Sequence, residues 1–151
     1  MTAPQREFTL VRDFDAPRDL VYQVWTEPEH MSQWLVPRGV TTPQETISQD
    51  LRVGGFWRWT MVSEQDGTRY PTVARFREIV EPERLVFTWG DEDNEGALIT
   101  VSFAENDGGT RLTLHLVGPA EMVTDESGIE QGWNECLDSL ELFLARRLER
   151  H

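Results

Sequence analysis

A chain of 151 residues is the size of one ordinary domain, long enough to bury a sizeable core without disulfide staples. Its 27 acidic residues outnumber 14 basic ones for a formal charge of -13, which makes a phosphate backbone or an anionic membrane surface a poor partner. The single cysteine, Cys136, excludes an internal disulfide and fits a reducing, cytoplasmic setting, and no apolar run approaches the ~20 residues a membrane-spanning helix needs.

One domain is expected over 1–151, with 1–6 and 150–151 frayed and with neither the basic nor the apolar region of a signal peptide at the start. Alternation over 8–15 places Phe8, Leu10 and Phe14 on one parity and predicts a first strand, in which Arg12 shares the apolar parity. Ala16-Pro17 starts a helix, since proline is favoured at the first helical position, and Leu20, Val21, Val24 and Trp25 mark its buried side. A second start at Glu27-Pro28 gives a short helix through Met31, Trp34 and Leu35, which Pro37 and Gly39 end. This pair is a helix-turn-helix in shape only, because an acidic chain with no basic recognition face is unsuited to nucleic acid.

From Thr42 onward the punctuation is that of a meander. Strands are expected at about 43–50, 55–64, 70–80, 84–90, 97–105 and 110–117. The turns between them are Gly54-Gly55, Asp66-Gly67, Glu81-Pro82, the acidic 91–96 stretch and Asp107-Gly108-Gly109. Alternation sorts the faces. Trp57, Trp59 and Met61 share a side with Ala74, Phe76, Leu85, Phe87, Trp89, Ile99, Val101, Phe103, Leu112, Leu114 and Leu116. Arg58, Thr60, Thr88, Thr100, Ser102, Arg111, Thr113 and His115 form a wet face.

The chain closes on a long amphipathic helix over 127–148. Ile129, Trp133, Cys136, Leu137, Leu140, Phe143, Leu144 and Leu148 form its apolar stripe, and Ser127 with Glu130 fits a capping box. A helix of that length, ~33 Å, needs an equally long apolar partner, which a curved antiparallel sheet supplies. The order strand, two helices, six strands, helix is that of an α+β helix-grip architecture, with seven curved strands around the final helix.

The motifs carry this further. Asp15-Ala16-Pro17, Val21-Tyr22-Gln23-Val24-Trp25-Thr26, Asp50-Leu51-Arg52-Val53-Gly54-Gly55, Pro82-Glu83-Arg84-Leu85-Val86-Phe87-Thr88-Trp89, Gly108-Gly109-Thr110-Arg111-Leu112-Thr113-Leu114 and Gly132-Trp133 occur in family order along nearly the whole chain. They resemble the family named after the activator of the Hsp90 ATPase, within the Bet v 1 and START-like (SRPBCC) superfamily. The resemblance implies a scaffold whose relatives include co-chaperone domains, polyketide cyclases and aromatases, and carriers of lipids or other apolar molecules. An Hsp90-type chaperone is disfavoured as a partner, because the extra N-terminal region of the eukaryotic co-chaperone is expected to be missing. A homodimer is compatible with the sequence.

No catalytic or metal-binding constellation is legible. His30, His115 and His151 are far apart in sequence, and there is no nucleophile elbow, phosphate-binding glycine loop or dinucleotide fingerprint. No cofactor is implied. The acidic run of Asp91, Glu92, Asp93 and Glu95 reads as a solvated loop. Six tryptophans and seven phenylalanines stand out instead. Each contributes ~1.5–3 kcal/mol as core, yet a sheet curled around one helix leaves space that a small ligand can share. The expected ligand-binding residues are Trp34, Trp57, Trp59, Met61, Phe76, Phe87, Trp89, Trp133 and Leu137, with Arg12, Tyr70, Glu78 and His115 as polar anchors. Gly132 marks either a close approach or room cleared for a neighbour. The leading reading is a binding protein for a small apolar or aromatic, lipid-like or polyketide-like molecule. A cyclase or dehydratase working largely by positioning is the alternative, and a chaperone-interacting module the third.

Overall fold

The computed structural model describes residues 4–36, 39–90, 96–120, 123 and 128–149. Strand β1 runs Gln5–Phe14, and helices α1 (Arg18–Thr26) and α2 (Pro28–Trp34) follow it. Pro17 caps α1 with extended backbone, one position earlier than expected, and Pro28 opens α2 at its first turn. Residues 5 and 6, expected to fray, instead pair with Pro119 and Gly118.

Of the strand expected over 43–50 only the short β3 (Ser48–Gln49) forms, after a single 3₁₀ turn over Gln44–Thr46, and a further short strand, β2 (Val40–Thr41), precedes that stretch. Pro43 has no N–H to give a ladder, and its carbonyl accepts instead from the Thr46 backbone N–H at 3.0 Å and hydroxyl at 2.7 Å. The unexpected β2 raises the sheet from seven strands to eight among the described residues.

The meander then runs β4 (Phe56–Ser63), β5 (Arg69–Val80), β6 (Arg84–Trp89), β7 (Ala97–Asn106) and β8 (Gly109–Pro119), and α3 (Ile129–Glu149) ends it. The sheet is antiparallel in the order β1-β8-β7-β6-β5-β4-β2, with β3 also on β4, so the first and last strands are neighbours. Two turns use glycine for reasons the backbone makes plain. Asp107 and Gly108, both at positive φ, close the two-residue β7–β8 hairpin. A Cβ on Gly55 would lie 2.2 Å from the Asp50 carbonyl oxygen, so the entry to β4 admits no side chain there.

Cross-strand register puts Trp57 with Ala74, Phe87 with Ile99, Val101 with Leu114, and Leu114 with Leu10 on one face, as the alternation predicts. Of that predicted face, Met61 and Trp89 are half-buried and the rest is buried. One parity assignment is overturned. Between Phe76 and Glu78 the register slips by one residue, so Glu78 pairs with Val86 rather than falling in line with Phe76, and Ile79 takes the inward place opposite Leu85. Thr88, expected on the wet face, is buried and its hydroxyl accepts the Arg75 backbone N–H at 3.1 Å, beside the same irregularity.

Helix α3 lays Ile129, Trp133, Cys136, Leu137, Leu140 and Leu144 into this inner face, all buried, while Glu130, Asp138, Glu141 and Arg146 face out. The stripe is therefore as the 3.6-residue period predicts except at Phe143, which is half-buried with its ring edge-on to His30 at 5.6 Å. Ser127 of the expected capping box, Pro37, the 91–95 stretch and His151 lie outside the described residues, as does the side chain of Leu148.

Candidate aromatic binding site

Inward residues of β4, β5, β6 and β7 carry rings because a half-buried pleated strand favours aromatic and β-branched side chains. Helix α1 drops Tyr22 and Trp25 onto the same assembly from one end, and α3 brings Trp133 across it. Trp25 is the hub. Its ring lies 4.6 Å from Trp34, 6.4 Å from Trp57, 6.1 Å from Phe103 and 6.1 Å from Trp133, the last pair nearly parallel at 6°. Trp57 continues the contact to Trp59 at 4.8 Å, Phe87 at 5.1 Å and Phe76 at 5.9 Å, and Trp133 meets Trp89 at 5.8 Å. Offset and edge-on pairs of this kind add about 0.5–1.5 kcal/mol each beyond the area they bury.

The structure thus brings together Trp34, Trp57, Trp59, Phe76, Phe87, Trp89 and Trp133 of the sequence-expected ligand set. Leu137 is fully buried one turn along α3, and Met61 is half-buried at the far end of β4, packed on the core edge. Trp34 stands apart in one respect: its indole N–H donates to the Val24 carbonyl at 2.9 Å, which ties α2 to α1. The indole nitrogens of Trp25, Trp57, Trp59, Trp89 and Trp133, and the hydroxyl of Tyr22, are buried with no partner among the described residues. An unsatisfied buried donor costs about 1–3 kcal/mol. Burial, and then the charge of Glu81, push the Tyr22 phenol above its ordinary value.

The four expected polar anchors separate. Arg12 is on the inner face opposite Leu112, where its guanidinium donates to the Asn134 carbonyl and Oδ1 at 3.3 Å and pairs with Asp138 at 2.7 Å. It clamps β1 to α3. Glu78 pairs with Arg84 at the surface, for the register reason given above. His115 lies on the outer face between Thr9 and Thr100, 3.4 Å from Glu7. Tyr70 is 52% exposed at the open end of β5.

Where α3 begins, a surface groove of about 700 Å³ runs between β1 and the helix, lined mainly by polar and charged side chains such as Arg6, Glu7, Glu130 and Asp138, with Phe8 and Ile129 beside them and none of the rings described above. Trp133 lies one turn below Ile129. Gly132 is half-buried there, its N–H donating to the Gly128 carbonyl at 2.7 Å. Cys136 is buried, and loss of solvent pushes its thiol well above the ordinary value. Glu27, Glu29 and His30 bring ligand-type atoms within 4.8 Å of one another at the start of α2, a partly exposed acidic cluster apart from the rings. Among the described residues no helix is long and apolar enough to cross a membrane.

Sequence reasoning missed Trp25 and Tyr22 as members of this wall. The helical stripe of α1 announces that Trp25 is buried, but nothing local says against what.

Compared with known proteins, residues 15–145 match the family model described as activator of Hsp90 ATPase homolog 1-like protein. No curated protein matches. Among solved structures, protein CV1439 from Chromobacterium violaceum is similar at 24% identity with a TM-score of 0.82, covering 92% of this chain and 97% of its own. Protein NE0264 from Nitrosomonas europaea is similar at 23% identity and TM-score 0.83, over 95% and 96%. A protein from Rhizobium leguminosarum is similar at 27% identity and TM-score 0.75, over 96% and 97%.

Proposed function

The chain belongs to the activator of Hsp90 ATPase homolog 1-like family, whose helix-grip fold commonly holds hydrophobic ligands, and on that premise we propose that it binds a small apolar or aromatic molecule between the sheet and α3. The observation that carries this reading is the continuous wall of indole and phenyl rings from Trp59 to Trp89, which Trp133 of α3 joins to Trp25. Flat ligands stack on such rings at small entropic loss, because the rings are already fixed by one another. A cyclising enzyme has less support, since Glu78 and His115 face solvent and Arg12 is engaged by Asn134 and Asp138.

The test is tryptophan emission during titration with fatty acids, flavonoids and polyketide-like aromatics. Saturable change with one chemical class is expected. Flat emission across the whole panel removes the proposal.

A further inference from the structure

On the outer face of the sheet, away from the tryptophans, two guanidiniums share one ring. Cross-strand register sets Arg75 opposite Phe56, with Arg58 two residues along β4 on the same side, and their Cζ atoms lie 4.6 and 4.3 Å from the centre of the Phe56 ring. Phe56 is half-buried and both arginines are exposed. Elsewhere this acidic chain gives its arginines carboxylates: Arg12, Arg18, Arg52, Arg84 and Arg111 each have one within ion-pairing distance. Arg58 and Arg75 have none among the described residues, in a chain with 27 acidic residues.

Stacking occupies the flat face of a guanidinium and leaves its N–H edges open. Like charges held on one ring repel, and a guanidinium only donates, so the group that completes the pair is an anion with acceptor oxygens for both. A carboxylate fills one guanidinium fork. A phosphate monoester brings three strong acceptor oxygens and a charge of about -1.5 to -2, and so serves two. A phosphodiester chain fits less well, since each link carries one charge and the whole polyanion meets a protein at -13. The shared ring already restrains both side chains, which lowers the ordering cost of binding.

The same face has room for the rest of such a molecule. The Arg75 backbone N–H donates to the Thr88 hydroxyl at 3.1 Å, and Thr88 lines an outer-face groove of about 520 Å³ with Arg77, Val86, Leu98 and Val117. Leu98 is 39% exposed there. We propose that this corner of the outer face binds a soluble phosphate monoester, with its phosphate held by Arg58 and Arg75 and its organic part laid along the groove at Val86, Leu98 and Val117. The site is separated from the aromatic wall by the sheet itself and does not depend on the inner-face reading.

The experiment titrates the full chain with 2-naphthyl phosphate, 2-naphthoate and inorganic phosphate, followed by calorimetry and by the arginine Nε–Hε and indole N–H resonances. The ester is expected to bind about tenfold tighter than the carboxylate and than inorganic phosphate, the first through its extra oxygens and the second through its ring. The Arg58 and Arg75 resonances should move while the indole resonances stay in place. Arg58→Gln and Arg75→Gln should each weaken the ester about tenfold. Phe56→Leu keeps both charges and removes the platform, and should weaken it several-fold. Arg84→Gln, on the same face but paired with Glu78, should leave it within about twofold. Leu98→Gln should weaken the ester several-fold and leave inorganic phosphate unchanged.

Naphthoate binding as tightly as the ester overturns the phosphate class, and inorganic phosphate binding as tightly overturns the role of the groove. An equal loss in Arg84→Gln and Arg75→Gln overturns the site in favour of a general field. Indole shifts without arginine shifts place the ligand on the inner face and overturn the location. Phosphatidic acid vesicles that bind more tightly than the ester overturn the soluble source. No saturable response to any of the three compounds overturns the proposal and leaves the inner-face reading to its own test.

Discussion

Truncating α3 at two places separates its two roles. Leu144 is 2% exposed in the second half of the helix, beside the fully buried Leu140, and Leu144→Ala removes core methyl groups at a cost of ~2–5 kcal/mol. For a domain of this size each kcal/mol is worth about 2–4 °C, so the melting temperature should fall by about 4–20 °C. Trp133→Ala removes a ring stacked on Trp25 and edge-on to Trp89, which costs a comparable ~3–5 kcal/mol. The stability losses therefore match, and affinity does not. With the tightest compound of the fluorescence panel, measured by calorimetry well below both melting points, Trp133→Ala should weaken binding about tenfold or more. Leu144→Ala should leave it within about twofold. Circular dichroism melts supply the stability readout. Affinity lost equally in both variants, or lost only in Leu144→Ala, would refute the assignment of the helix's first turns to the mouth of the site.

Three further outcomes are expected. Arg12→Met removes the clamp from β1 to Asn134 and Asp138 and should cost about 1–2 kcal/mol, with amide exchange accelerating over residues 129–138 and not in the sheet; uniform acceleration would mean the clamp is not local. Gly55→Ala drives a Cβ into the Asp50 carbonyl and should cost more than ~2 kcal/mol, seen as a lower denaturant midpoint with unchanged slope; a neutral result would mean that the turn relaxes freely. Cys136 should resist iodoacetamide in the folded protein at pH 8 and react once unfolded, because its buried thiol keeps its proton. The sign for stability follows. The folded thiol titrates above the unfolded one, so its contribution is complete below the ordinary value of 9.0 and declines as pH rises beyond it. Stability that rises with pH above 9.0 through this group would contradict its burial.

Much of the frame was legible in the residues. The β4 and β6 to β8 alternations and the α3 stripe name their buried faces correctly, since a period of 2 or 3.6 fixes which side chains leave the backbone together. The errors have local physical causes. One extra residue between Phe76 and Glu78 reverses parity, and nothing in the composition of β5 announces a bulge. Pro43 breaks a stretch whose neighbours still read as strand. In the site, the rings of β4 to β6 and Trp133 are recoverable because they share one parity or one stripe, whereas Arg12 is placed by a partner 122 residues away. Trp25 is likewise joined to Trp133 only by the closed fold.

The sequence by itself determined most of the elements, the inward faces outside β5 and the aromatic wealth of the interior, because these depend on spacing and side-chain chemistry within a few residues. Only the tertiary structure decided that the tryptophans form one connected wall, that Trp34 alone among them has a backbone acceptor among the described residues, and that Glu78 and His115 turn away from it. Periodicity states which face is buried and is silent about the partner, since partners are chosen when β1 closes against β8 and the sheet curls onto α3. Whether an indole N–H finds an acceptor is settled at that same closure, by atoms far apart along the chain.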